Sequence, residues 1–167
     1  MKSKNIYTLG LCTMGNSSAA LFRDGFLIAA IEEERLSRIK NDNRFPHLAI
    51  KEVLNIEGIK LNDINNIAIY WQPWRIFTRV YGTLKKFFNS TKSFKSVFLK
   101  VKKLFTPSEF SQEGSWTDLF IIKKILVKNH GKFNGKIKFF NHHLTHQKYG
   151  EAIANENTFI SLSYDGG

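Results

Sequence analysis

The chain has 167 residues, a size that makes one domain the default and is long enough to bury a core. Its hydrophobic share of 43% is that of an ordinary folded protein, no apolar run approaches the roughly 20 residues needed to span a bilayer, and a lone cysteine, Cys12, excludes an internal disulfide framework. The formal charge of +11 is local: residues 75–105 carry nine Lys and Arg and no acid, which leaves the remainder nearly balanced.

In chain order, "IYTLGLC" (6–12) reads as a buried strand. The N-terminal apolar stretch is too short, and too broken by Thr8 and Gly10, for a signal peptide, so a cytoplasmic protein is expected. "SAALFRDGFLIAAIEEE" predicts a hairpin: Ala19–Phe22, a turn at Arg23-Asp24-Gly25, then Phe26–Ile31, with Asp-Gly between two apolar runs as the signal. The charged stretch "EEERLSRIKNDNRFP" that follows has no period and reads as a loop. "FPHLAIKEVLNIEG" predicts a helix opened by Pro46 and closed by Gly58, with Ala49, Ile50, Val53 and Leu54 as its apolar face. "INNIAIYW" (64–71) is the next strand.

Residues 75–129 read as largely helical, interrupted around "TPSEFSQEG" (106–114). The nine cations make this stretch either a solvated face or a surface for nucleic acid, anionic lipid or an acidic partner. Phe77, Phe87, Phe88, Phe94, Phe98 and Phe105 are interleaved with the charges, and Phe94, Val97, Phe98, Val101, Leu104 and Phe105 recur at helical spacing. That spacing points to packing against the core or a further domain rather than stacking on bases, so no nucleic-acid partner is expected. "KIKFFN" (136–141) predicts another strand, "HHLTHQKYGEAIA" (142–154) a helix, and "TFISLSYDGG" (158–167) a final strand entering a turn.

A three-strand meander followed by alternating helices and strands predicts an α/β fold, specifically a ribonuclease-H-like layer, the unit duplicated in the actin, Hsp70 and sugar kinase superfamily. In that superfamily two matching turns clasp nucleotide phosphates. Here they would be "GLCTMGNSSAAL", with Gly15, Ser17 and Ser18, and "SLSYDGG", with Asp165, Gly166 and Gly167. Three histidines crowd residues 142–146. His142 and His146, four residues apart, share one helix face, so both imidazoles can reach one metal ion, whereas His143 lies off that face. Two ligands need others to complete the shell, and "HHLTH" lacks the glutamate of a zinc-protease motif.

"GLCTMGNSSAALFRDG", "AAIEEERLSRIKNDNRFP", "NHHLTHQKYGEA" and "SLSYDGG" together resemble the N-terminal part of the O-carbamoyltransferase family, whose members decorate nodulation factors and antibiotics. The resemblance spans nearly the whole chain apart from the basic stretch. It implies an actin-like domain related to the tRNA threonylcarbamoyl-transferring enzymes. It also implies a second domain that makes carbamoyl-adenylate from ATP and carbamoyl phosphate before the carbamoyl group moves to a hydroxyl of a small-molecule acceptor. Residues 1–157 would be the first lobe, with a basic helical insertion at about 75–129, and residues 158–167 the first strand and phosphate-loop start of a second lobe.

The resemblance further implies that His142 and His146 hold the metal, iron(II) in the family, and that Lys40, with Arg35 and Arg38, lines the cleft; cations there suit phosphate and carbamoyl oxygens. Where the family reads His-Asp in the first loop this chain has Gly15-Asn16, and Asn16 can hydrogen-bond a substrate but cannot act as a base. The chain reads as truncated at Gly167, expected to be inactive alone and to need the C-terminal half of the enzyme as a partner. The alternative is a non-catalytic binding module that keeps the fold and uses the basic insertion for a partner.

Overall fold

Asp24 and Gly25 take φ of +52° and +87°, the left-handed pair that turns a two-residue hairpin in register with the right-handed twist of its strands. In the computed structural model, which describes residues 5–88, 94–106, 115–154, 160 and 163, this turn joins β2 (Ser18–Arg23) to β3 (Phe26–Glu32). β2 also pairs antiparallel with β1 (Tyr7–Cys12), and the meander is extended by β4 (Asn66–Ile69) and β5 (Lys136–Phe139), each parallel to the strand before it in the sheet. The order is β3-β2-β1-β4-β5, a mixed five-stranded sheet in an α/β fold.

The helices are α1 (Glu33–Ser37), α2 (His47–Glu57), α3 (Arg75–Phe88), α4 (Phe94–Phe105), α5 (Trp116–His130) and α6 (His142–Ile153), with a 3-10 turn at Leu61–Asp63. α2 has the boundaries its sequence predicts: Pro46 precedes the first turn and Gly58 ends it at φ +70°. Proline has no capping side chain. The buried carboxylate of Glu33 takes over that task, accepting from Leu48 N at 3.0 Å and Ala49 N at 2.8 Å. Burial pushes the Glu33 carboxyl above the usual carboxylate range, against the opposing pull of those two backbone donors.

Ala49, Ile50, Val53 and Leu54 of α2 and Leu119, Ile122 and Leu126 of α5 close on Leu9, Leu11, Leu21, Ile67 and Ile69 of the sheet in one core. Each such Leu or Ile removed from water contributes about 1.5–3 kcal/mol. Beside this core, His47 at the start of α2 meets His130 at the end of α5, with Nδ1 and Nε2 3.1 Å apart and the rings stacked. Burial, and secondarily the His47 charge, hold His130 down to about 4. An unfolded histidine takes its proton near pH 6.5. The unfolded chain therefore binds more protons in this window, and stability falls as pH drops from about 6.5 towards 4. Melting at pH 7 and pH 4.5 should show wild type losing about 3–6 °C more than His130→Gln; equal losses would reject the assignment.

Three expectations are corrected. The charged stretch after β3 is not a loop throughout, because Glu33–Ser37 forms α1, closed by Arg38 at φ +61°. Acids in its first turn, Glu33 and Glu34, favour the positive end of the helix, which a search for apolar period overlooks. The strands expected over 64–71 and 136–141 shorten to Asn66–Ile69 and Lys136–Phe139. Of the two packings expected for the aromatic stripe, the one on the core is not found, since Phe77, Phe98 and Phe105 are exposed. The strand expected over 158–167 lies outside the described residues, apart from Ile160 and Ser163.

Candidate functional site

β1, β4 and β5 run parallel, so the chain leaves all three at the same edge of the sheet, the edge at which open α/β sheets place their ligands. A cavity of about 590 Å³ opens there. Cys12, Met14 and Gly15 border it after β1, Tyr70 and Trp71 after β4, and His142, Thr145 and His146 after β5. Arg79 of α3 and Trp116 of α5 complete its wall.

α6 begins at His142 because Asn141 caps it, its Oδ1 accepting from His143 N at 3.0 Å and Leu144 N at 3.4 Å. One helical turn later His146 comes round to the same face, and the two Nε2 atoms lie 3.3 Å apart. That separation matches two imidazole nitrogens bound at about 2.1 Å to one ion at a tetrahedral angle, which lie roughly 3.4 Å apart. Among the described residues no group of three or more His, Cys, Asp or Glu forms a metal site, so the pair supplies two donors.

Aromatic packing sets the plane of His142. Trp71 stacks on it with ring centroids 4.3 Å apart and planes 13° from parallel, and Trp116 meets Trp71 edge-on at 5.1 Å. The Arg79 guanidinium lies over both indoles, 5.0 Å from Trp71 and 5.3 Å from Trp116. Tyr70 donates its hydroxyl to Met14 O, tying the end of β4 to the loop after β1; burial holds that hydroxyl protonated well above the usual tyrosine range. Burial likewise raises the Cys12 thiol, whose Sγ reaches Gly15 O at 3.3 Å, so it stays a thiol and a poor nucleophile at neutral pH.

Of the residues singled out from sequence, the structure brings Gly15, His142 and His146 together in this cleft. Gly15 and Asn16 turn the loop at φ +68° and +54°, a backbone that glycine adopts freely and asparagine tolerates. A second loop holds the first: Asn16 N donates to Asn43 Oδ1 at 2.7 Å and Ser17 N to Asp42 O at 3.1 Å. Ser17 is buried, as is Thr13, and neither hydroxyl finds a hydrogen-bond partner among the described residues. Ser18 opens β2, opposite Cys12 and Glu32.

Arg35, Arg38 and Lys40 are exposed on α1 and the turn after it and do not line the cleft; Arg35 pairs with Glu32 at 3.4 Å and Glu34 at 3.7 Å. His143 faces Ser163, with Nδ1 and Oγ 3.4 Å apart. Asp165, Gly166 and Gly167 lie outside the described residues. Tyr70, Trp71, Arg79 and Trp116 escape a reading by motif. The aromatic pair Tyr70-Trp71 at the carboxyl end of a predicted strand is a signal for the first two, and nothing local marks Arg79 or Trp116.

The chain matches a family profile described as "Carbamoyltransferase N-terminus" over residues 7–149. It is 30% identical to Nodulation protein NolNO of Sinorhizobium fredii over 156 residues, which are 92% of this chain and 20% of that protein. It is also 43% identical over 67 residues to an "Uncharacterized 19.2 kDa protein in syrM 5'region" of Rhizobium etli, 40% of this chain and 39% of that protein. The chain thus spans about a fifth of the length of NolNO. With a match that takes in β1 to α6 and both histidines of the pair, the chain belongs to the carbamoyltransferase N-terminus family.

Proposed function

We propose that this chain is the N-terminal part of an O-carbamoyltransferase that moves a carbamoyl group from carbamoyl phosphate, by way of carbamoyl-adenylate formed with ATP, to a hydroxyl of a sugar or natural product. The observation that carries the reading is the convergence of His142 and His146, 3.3 Å apart, at the shared carboxyl edge of β1, β4 and β5. The strand order, a local antiparallel meander extended by two parallel strands across long crossovers, supports assigning the sheet to the ribonuclease-H-like lobe of the actin superfamily.

In the transfer step the acceptor oxygen bonds to the carbamoyl carbon, the bond from that carbon to the adenylate oxygen breaks with AMP leaving, and the hydroxyl proton passes to solvent. His142 and His146 fit a divalent ion, iron(II) by family resemblance, which when bound supplies Lewis acidity beside the reacting oxygens. Trp71 fixes the plane of His142 by stacking, and the indoles of Trp71 and Trp116 exclude water from one wall of the cleft. Gly15 offers a backbone donor and Ser17 and Ser18 their hydroxyls for a phosphate, and the Asn16 side chain a hydrogen bond to substrate. Lys40, Arg35 and Arg38, exposed outside the cleft wall and with Arg35 paired to Glu32 and Glu34, would act at longer range, as a positive field that draws anionic phosphates. Asp165, with Gly166 and Gly167, would supply the matching loop.

The test has two arms. Titration of the chain with cobalt(II) should show one bound equivalent, lost in the His142→Ala, His146→Ala double variant. Exchange of this segment into a family member with measured carbamoyl transfer should retain product, with the double variant reducing kcat by about a hundredfold or more. Equal binding and equal transfer by both forms would sink the reading.

A further inference from the structure

Of residues 75–105, Arg79 lines the cleft, whereas Arg75, Lys85, Lys95 and Lys102 do not. α3 turns two faces outward. One carries Arg79 to the indoles of Trp71 and Trp116; about 140–200° around the helix lies a stripe of Phe77, Tyr81 and Leu84, spaced four and three residues apart. That stripe is solvated, with Phe77 and Tyr81 each 67% exposed, and Lys85 stands at its edge. α4 repeats the chemistry. Phe98 and Phe105 lie two turns apart, Lys95 and Lys102 fall on the same side, and all four are exposed.

Rings this exposed beside lysines are costly in water unless something covers them. We propose that α3 and α4 form a docking surface for an anionic lipid bilayer, on which the protein lies without spanning it. Apart from Arg79, residues 75–105 carry eight cations and no acid, which complement a layer of lipid phosphates, and Lys85, Lys95 and Lys102 are exposed beside the rings of their own helices. Phe77, Tyr81, Phe98 and Phe105 suit the boundary between headgroups and acyl chains, and Leu84 and Leu99, which neither stack on bases nor hydrogen-bond to them, enter it with them. A nucleic acid would leave those two leucines in water. An acidic protein would need carboxylates fixed opposite each lysine, whereas a fluid anionic surface rearranges to meet them. No helix among the described residues is long and apolar enough to cross a membrane, in keeping with attachment at the surface.

The experiment is cosedimentation of the 167-residue chain with phosphatidylcholine vesicles, with and without phosphatidylglycerol, at low and physiological salt. Partitioning should be about tenfold or more higher on the anionic vesicles and fall as salt rises. Lys95→Glu with Lys102→Glu should lower it by about tenfold or more. Phe77→Ser with Tyr81→Ser, which leaves charge unchanged, should lower it by a similar factor. These side chains are exposed, so circular dichroism of both variants should match wild type. Equal partitioning on neutral and anionic vesicles, no partitioning on either, or variants that bind as wild type would overturn the proposal. So would preference for a homopolymeric RNA over anionic vesicles, which would make the surface a nucleic-acid site, or for an acidic protein, which would make it a protein interface.

Discussion

Replacing Gly135 with alanine is expected to cost roughly 3 kcal/mol or more and to lower the melting temperature by on the order of 10 °C. A Cβ at this position would lie 2.5 Å from Asn65 O, 2.6 Å from Ile64 O and 2.7 Å from Phe133 Cε2. Two of those three atoms belong to backbone and cannot swing aside. Asn65 is also where three strands are tied together: its Oδ1 accepts from Tyr7 N at 2.8 Å, its N donates to Tyr7 O at 3.0 Å, and its O accepts from Lys136 N at 2.9 Å. The clash would therefore loosen the start of β5, and β5 leads into the helix that carries His142 and His146. Gly82→Ala is the control. Nothing lies within 4 Å of its added Cβ, and within α3 the change should stabilise by about 0.5–1 kcal/mol. Urea unfolding of the two variants side by side tests the pair, and an unaltered midpoint for Gly135→Ala would contradict the close approach.

The second large effect is expected at Asp42. Its carboxylate takes Arg44 Nε at 2.9 Å and Nη2 at 2.6 Å, and its backbone oxygen holds Ser17 N. The hydrogen bonds from Arg44 outweigh burial and draw the Asp42 carboxyl down to about 2. Its folded value lies below its unfolded one, so this contribution is present above about pH 4 and is lost as pH falls towards 2. Arg44 keeps partial contact with water, so Asp42→Ala should cost about 2 kcal/mol rather than the larger sum of a fully buried pair. The distinguishing consequence is local. Asn43 and the backbone of residue 42 hold Asn16 and Ser17 in place, so the variant should expose the loop at 13–17 to faster amide exchange while α5 stays protected. Uniform exchange across the chain, or a stability gap from wild type that persists at pH 2, would tell against the carboxylate as the fastening point.

The elements most legible in the sequence are those whose causes are local. Asp24-Gly25 fixes the hairpin and Gly58 ends α2, because in each case the determining group lies within a few residues of its effect. The four-residue spacing of His142 and His146 foretells their shared face for the same reason. The wall of the cleft was not legible. Trp71, Arg79 and Trp116 meet only once β4, α3 and α5 have packed, and no local pattern encodes that meeting. Periodicity shows that Phe98 and Phe105 share a side of α4, but not whether anything covers that side. Glu33 reads as one charge among many until the bare amides of α2 give it a task.

β4 ends at Ile69 and its parallel neighbour β5 begins at Lys136, with α3, α4 and α5 in the excursion between them. The entropy of closing such an excursion grows only with the logarithm of its length, about 0.6 kcal/mol for each doubling. The two-residue turn between β2 and β3 has less freedom, since an inserted residue shifts every side chain beyond it to the opposite face unless a bulge takes it up, as the irregularity at Ile28 opposite Leu21 and Phe22 does. Evolution can therefore lengthen, shorten or exchange the α3–α4 hairpin at small thermodynamic cost while the parallel edge that carries the histidines stays in register. Diversity among relatives in what this lobe touches should be concentrated in that excursion, and the meander should be the part that tolerates insertion least.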